Sequence, residues 1–308
     1  MSTDLRPRRS VLYMPAANER ALEKAQAIPA DALIFDLEDA VAPDAKSQAR
    51  ANAVAAAKSG AYGNREITIR CNGLDTQWGA DDLAAAANSG AAAVVIPKVS
   101  STRTLDAVSA ALDAAGAPTE MRIWAMIETP TAIFDVRMIA AHPRVNVLVL
   151  GTNDLLKELR AIAVPSRAPL LPHLATALLG AREAGVMILD GVFNDVKDPE
   201  GFAAECVIGA QMGFDGKTLI HPSQVEPCNG VWAPTEADIC YARRVIEAFD
   251  EAVADGRGVV TVDGRMIENL HVDNARRTLA VAEAITALSG VPSVLTNTGP
   301  SLASKQDG

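Results

Sequence analysis

Short apolar runs recur along the chain, each closed by a turn or charged residue and followed by a longer stretch with helical spacing. The runs are Ser10–Met14, Ala32–Phe35, Glu66–Arg70, Ala92–Ile96, Ile123–Ile127, Val145–Leu150, Val186–Leu189 and a last one within Phe214–Ile220. Runs this short and this apolar, bounded by turn residues, read as strands buried on both faces. Helices are predicted over Asn18–Ala27, Asp44–Lys58 (capped by Asp44 after Pro43), Ala80–Ser89, Thr102–Ala115, Thr131–Ala141 behind Pro130, His173–Ala184 stopped by Gly185, and Pro199–Met212. Between Asp154 and His173, Pro165 and Pro169 break the pattern, and part of that stretch reads as loop. Strand and helix alternating through eight units over about 220 residues is the pattern of a (β/α)8 TIM barrel, an α/β fold assigned here to residues 1–233.

The pattern then changes. An amphipathic helix is predicted from near Pro234 to Gly256, then a hairpin-like turn at Asp263-Gly264 and a final helix. Residues 234–288 thus form a C-terminal helical extension or lid, and the Gly-, Pro-, Ser- and Thr-rich residues 289–308 read as a mobile tail.

In a barrel of this kind the carboxyl ends of the strands form the active face. Those ends carry Asp36, Glu38, Arg70, Lys98, Glu128, Asp154 and Asp190. Glu128 and Asp154 close the fifth and sixth runs. Neighbouring strands lie about 4.8 Å apart, so two such carboxylates can share one hard cation. Asp154 also fits as the N-cap of the helix LLKELR. The stretch DLED sets Asp36, Glu38 and Asp39 at one strand tip, where they repel each other unless a cation or an arginine is near. Arg70 suits a clamp for a substrate carboxylate, or a counter-charge to Asp36 or Glu38. His221, before Pro222, fits a structural hydrogen bond better than catalysis.

Composition narrows the partners. The chain has 308 residues, 49% of them hydrophobic and 4% aromatic, with a formal charge of −10. That charge argues against nucleic acid and anionic membrane as general partners, and leaves room for an anionic ligand in a local basic pocket. The four cysteines, Cys71, Cys206, Cys228 and Cys240, form no CxxC pair and fit a reduced, cytoplasmic protein. No signal peptide and no apolar run long enough for a membrane span is expected.

The blocks RSVLYMPAANERALEKAQAIPADALIFDLEDAVAPDAKSQAR, TIRCNG, VVIPKV, MIETP, GTNDL, DGVFND, GFDGKTLIHPSQV and DGRMIENLH occur in order. Together they resemble the citrate lyase β-subunit/malyl-CoA lyase family, within the HpcH/HpaI-like aldolases, across about residues 8 to 285. The resemblance implies a Mg²⁺ ion (or Mn²⁺ in its place) on Glu128 and Asp154, with Arg70 on the substrate carboxylate. Asp36, Glu38 and Asp39 would line the metal's water shell. It implies an acyl-CoA substrate and a homo-oligomer, trimer or hexamer, whose C-terminal segment lies over a neighbouring subunit's barrel and supplies an acid. Where that segment usually carries Asp, this chain has Glu268, in the sequence Met266-Ile267-Glu268-Asn269-Leu270-His271. One extra methylene moves an acid or base by about 1 Å, enough to cost about a hundredfold in rate. The ENLH version is most similar to the (3S)-malyl-CoA thioesterase branch, which implies hydrolysis of the thioester, with carbon–carbon cleavage as the alternative. A non-catalytic subunit of a citrate-lyase-type complex is a third reading. For CoA the expected contacts are Arg20 and Lys24 at the phosphates and Tyr13 near the adenine or pantetheine. Surface charge and core packing would account for these three residues equally well.

Overall fold

The computed structural model describes residues 5–288. Eight parallel strands close into a barrel in chain order: β1 Ser10–Pro15, β2 Ala32–Asp36, β3 Glu66–Arg70, β4 Ala93–Ile96, β5 Arg122–Ile127, β6 Val145–Leu150, β7 Met187–Asp190 and β8 Gly216–Leu219. β8 pairs with β1 through Ser10 and Lys217, which leaves no free edge. Every strand expected from the sequence is present, with ends within two residues of the expected ones.

Seven helices were expected between the strands, and all seven form: α1 Glu19–Ala25, α2 Lys46–Lys58, α3 Gly79–Ala87, α4 Thr102–Ala114, α5 Pro130–Ala140, α7 Leu171–Ala184 and α8 Pro199–Met212. Two more, α6 Thr152–Leu159 and α9 Val225–Trp232, were not delimited by the sequence pattern. Asp44 does not cap α2. It lies inside a 3₁₀ turn, Pro43–Ala45, and Ala45 takes the cap position without a side-chain bond.

Strand alternation sorts the side chains into two cores. Val11, Ala32, Ile34, Ala93, Val95, Trp124, Met126, Val147, Val149 and Leu189 pack together as one cluster, with Tyr13 and Met187 against it. These positions are two apart on each strand, so they share one face, the barrel interior. The intervening residues, such as Leu12, Leu33, Val94, Ile123, Ala125 and Leu148, pack with helix residues in the larger outer core.

Arg8–Ala233 form one compact unit. The second runs from Pro234 onward, with the residues before Arg8. In it α10, Glu236–Ala254, starts at a reciprocal cap between Thr235 and Asp238. A hairpin of β9 Val260–Val262 and β10 Arg265–Ile267 turns at Asp263-Gly264, as expected, and leads into α11 Asn269–Leu288. Val245, Phe249, Val262, Ile267 and Val272 are at its centre. The expected tail, 289–308, lies outside the described residues. No described helix is long and apolar enough to cross a membrane.

Candidate active site

Counting by twos from the interior cluster shows what reaches the barrel mouth. Val11 and Tyr13 on β1, Ala32, Ile34 and then Asp36 on β2, Arg70 paired in register with Asp36 on β3, and Trp124, Met126 and then Glu128 on β5 continue the inward series. The same count puts Asp190 outward, because Leu189 points in.

Arg70 and Asp36 are both buried and form a two-pronged pair, Nε to Oδ1 at 2.6 Å and Nη2 to Oδ2 at 2.5 Å. Asp36 also accepts the backbone N–H groups of Glu38 and Ala40, which ties the guanidinium to the loop after β2. The third nitrogen, Nη1, lies 2.8 Å from Glu38 Oε2 and 3.6 Å from the exposed Asp39. Burial raises the Glu38 carboxyl's pKa against the pull of Arg70. That loop is pinned from behind. The buried Lys46 ammonium donates to the carbonyls of Leu37 and Glu38 and to Asn72 Oδ1, and Asn72 is held by Asp82. Arg70 is thus a counter-charge to the DLED acids, and one nitrogen is held by an acid that a substrate carboxylate could replace.

Glu128 sits across the barrel mouth, only 3% exposed. Its Oε1 accepts the Lys98 backbone N–H at 2.7 Å. Lys98 reaches that position in the left-handed region, at φ 50, which is uncommon for a residue with a Cβ. The other oxygen lies against Gly151, where a Cβ would sit 2.1 Å from Oε2, so only glycine fits. Gly151 is the N-cap of α6, and Asp154 is half-buried in the first turn of that helix. Asp154 is therefore neither at the tip of β6 nor the cap of the helix. It stands four residues beyond Leu150, and the Gly151 turn brings it within electrostatic range of Glu128.

The Glu128 pKa is pushed from its ordinary 4.5 up to about 7, mainly by burial, with Asp154 and Glu38 adding to it and the Lys98 N–H opposing. Partial burial pulls the Lys98 ammonium down, but Glu38, Asp154, Glu128 and Asp39 together lift it. A buried carboxylate among carboxylates is an electrostatic position that a divalent cation relieves. Among the described residues no group of three or more His, Cys, Asp or Glu is arranged to hold a metal. Two carboxylate ligands suit an ion that keeps several waters, as Mg²⁺ does, so the donor set fits the expected cation.

Tyr13 is half-buried beneath Arg70, whose guanidinium carbon is 4.9 Å from the ring centroid. Its hydroxyl lies 4.0 Å from Met126 Sδ. Tyr13 therefore forms part of the barrel mouth's floor. Arg20 and Lys24 are exposed on α1. His221 caps a 3₁₀ turn through its Nδ1, as expected of a structural histidine.

Asp190, expected on the active face, is a correction. It is fully buried on the outer side of β7, gripped by both terminal nitrogens of Arg167 at 2.9 and 2.5 Å and by Lys217 Nζ at 2.8 Å. Lys217 also meets Glu205 of α8 at 2.7 Å. Burial opposes the charge on Asp190, but the two cations keep it ionised below its ordinary range. The sequence reading did not single out Arg167, Lys217, Glu205 or Lys46. A lysine inside the apolar run of β8 was the available signal for Lys217.

Glu268 lies in the second unit, half-buried, with its backbone N–H donating to His271 Nδ1 as α11 begins.

Residues 9–222 match the HpcH/HpaI aldolase/citrate lyase family. The (3S)-malyl-CoA thioesterase of Cereibacter sphaeroides is 50% identical over 287 residues, spanning 93% of this chain and 99% of that protein. The citrate lyase subunit beta of Escherichia coli is 37% identical over 292 residues, spanning 93% of this chain and 95% of its own. A solved structure of CitE from Mycobacterium tuberculosis, in complex with magnesium, acetoacetate and coenzyme A, superposes with a TM-score of 0.74 at 27% identity, covering 92% of this chain and 100% of that one. With a matching barrel and relatives that align over nearly their whole length, this chain belongs to the HpcH/HpaI aldolase/citrate lyase family.

Proposed function

We propose that this chain is a Mg²⁺-dependent enzyme that hydrolyses (3S)-malyl-CoA to malate and CoA. The observation that carries this reading is the 50% identity to a malyl-CoA thioesterase along nearly the full length of both proteins. The buried Glu128 with Asp154 beside it supports the metal, and the magnesium and coenzyme A in the CitE complex are consistent with it.

Glu128 and Asp154 would hold the ion, which when bound supplies Lewis-acid polarisation and orientation. Arg70 receives the substrate's free carboxylate on the nitrogen that Glu38 now faces, while Asp36 keeps the guanidinium plane fixed. Asp36 is thus a positioning residue. A planar fork held through two of its three nitrogens presents the third with little loss of freedom on binding. Water attacks the thioester carbonyl, a general base takes its proton, and the CoA thiolate departs. Glu268 of a neighbouring subunit is the base in this reading, its extra methylene giving the reach. The enzyme then works as a homo-oligomer, trimer or hexamer, in the cytoplasm. The exposed Arg20 and Lys24 are the candidates for the CoA phosphates.

The second reading is a carbon–carbon lyase acting on malyl-, citramalyl- or β-methylmalyl-CoA, favoured by the 37% identity to a citrate lyase subunit. Incubation with (3S)-malyl-CoA and Mg²⁺ separates the two. Free CoA with malate is expected. Acetyl-CoA with glyoxylate would replace hydrolysis by cleavage, and full turnover in excess EDTA would remove the metal from either scheme.

A further inference from the structure

The phenol of Tyr13 occupies a position that packing alone does not require. Its ring does packing work, under Arg70 and against the interior cluster. Its hydroxyl extends further, across the barrel from β1 toward β5, and its one hydrogen-bond contact among the described residues is the Met126 thioether at 4.0 Å. A thioether is a weak acceptor, and a contact of 4.0 Å is long. Four charged groups, Arg70, Asp36, Glu128 and Glu38, act on the phenol. Burial, with Asp36, Glu128 and Glu38 adding to it, outweighs the pull of Arg70 and keeps the proton on. The result is a neutral O–H donor, poorly matched by its present partner, on the floor between the arginine and the carboxylates.

Of the carboxylates at this mouth, Asp36 and Glu128 already accept hydrogen bonds from the protein. Asp36 takes Arg70 and two backbone N–H groups, and Glu128 takes Lys98 and lies over Gly151. A phenol donor matched by no more than a thioether is suited to an acceptor that arrives with the ligand. Under the function proposed above, the ligand group that enters deepest is the carboxylate-bearing hydroxy-acid end, because Arg70 lies over the Tyr13 ring.

We propose that the Tyr13 hydroxyl donates a hydrogen bond to the carboxylate-bearing head of the bound acyl group, making Tyr13 a recognition residue for the 2-hydroxy or 2-oxo acid end and not for the CoA end. The inference rests on the reading of the site as one for malyl-CoA-type substrates. A hydrogen bond to a charged acceptor exceeds a neutral one by enough to be read directly in affinity.

The test is calorimetric, on the purified full-length chain with Mg²⁺, using malate, glyoxylate and free CoA as separate titrants. Tyr13→Phe keeps the ring under Arg70 and removes only the donor. Affinity for malate and glyoxylate is expected to fall roughly ten- to a hundredfold, with CoA affinity and the melting temperature unchanged. Met126→Leu serves as the packing control and is expected to leave acid affinity in place. Unchanged acid affinity in Tyr13→Phe would overturn the proposal. So would a loss confined to CoA, which would return Tyr13 to the nucleotide end, or an equal loss in Met126→Leu, which would make the floor a matter of shape. Wild-type turnover of malyl-CoA, measured alongside, keeps the two readings apart. If the wild type turns over malyl-CoA and Tyr13→Phe binds acids normally, only the role of Tyr13 fails. If the wild type neither turns it over nor binds either acid, both fail.

Discussion

At the scale of single residues, Glu128 shows how a site is kept ready at a cost to the fold. Its folded pKa, about 7, is above its ordinary 4.5. Between those values the native state holds a proton that the unfolded chain has released, so stability falls as pH rises from 4.5 to 7 and stays lower above it. A shift of that size corresponds to a penalty on the order of 3 kcal/mol at pH 8. Glu128→Gln removes the titration while nearly keeping the volume. The metal-free variant is therefore expected to be more stable than wild type at pH 8 and about equal to it near pH 4.5, while losing Mg²⁺ binding and activity. Chemical denaturation of both proteins in EDTA at the two pH values, with a Mg²⁺ titration, checks this. Equal stability at pH 8 would mean that Glu128 is not held against its charge. The position of Glu128 was legible in the sequence, since it directly closes an apolar run. Its mate was less so, because Asp154 reaches the mouth only through the Gly151 turn, and a turn's direction is not encoded in an apolar count.

At the scale of elements, strand parity separates the residues that reach the barrel mouth from those that hold the wall. Eight apolar runs were enough to recognise the barrel, and each strand lies where its run predicted. Residues at strand ends were harder to assign, because adjacent positions point to opposite faces. Asp190 looked like Asp36 in the sequence, yet it follows the inward-facing Leu189 and so points at α8. There it joins Arg167, Lys217 and Glu205 in an ionic cluster that ties β7 and β8 to the segment before α7 and to α8. Removing one partner of a buried ion pair leaves the others uncompensated and costs about 3–5 kcal/mol. Lys217→Met is expected to lower stability by that amount, seen as a lower denaturation midpoint, with Mg²⁺ affinity per folded molecule unchanged. A variant that bound Mg²⁺ more weakly would show that the cluster reaches the mouth. The helices the pattern did not delimit have local reasons. α6 begins at a glycine without a side-chain cap, and α9 carries a proline in its first turn, Pro227, where the missing N–H is harmless.

At the scale of the whole molecule, the chain divides into a barrel unit with every residue of the mouth and a second unit with Glu268. If the reaction needs both Glu268 and the Glu128–Asp154 pair, and if the base comes from a neighbouring subunit, the two groups belong to different chains of one oligomer. Chains carrying Glu128→Gln keep Glu268, and chains carrying Glu268→Ala keep the metal pair. Each is expected to be inactive alone. After mixing under conditions that allow subunit exchange, some mouths with an intact metal pair meet an intact Glu268. In a trimer assembled at random from equal amounts, each mouth has a one-in-two chance of a complete metal pair and a one-in-two chance of an intact neighbour, so about a quarter of wild-type activity is expected at full exchange. Activity that stays at the background of the separate variants, with exchange verified by mass spectrometry, would place the base within the same chain or elsewhere. Glu268→Asp then asks whether reach selects the reaction. With the side chain one methylene shorter, the ratio of acetyl-CoA plus glyoxylate to CoA plus malate is expected to rise. An unchanged ratio would separate the identity of this acid from the choice between water attack and carbon–carbon cleavage, and would leave that choice to the residues of the mouth itself.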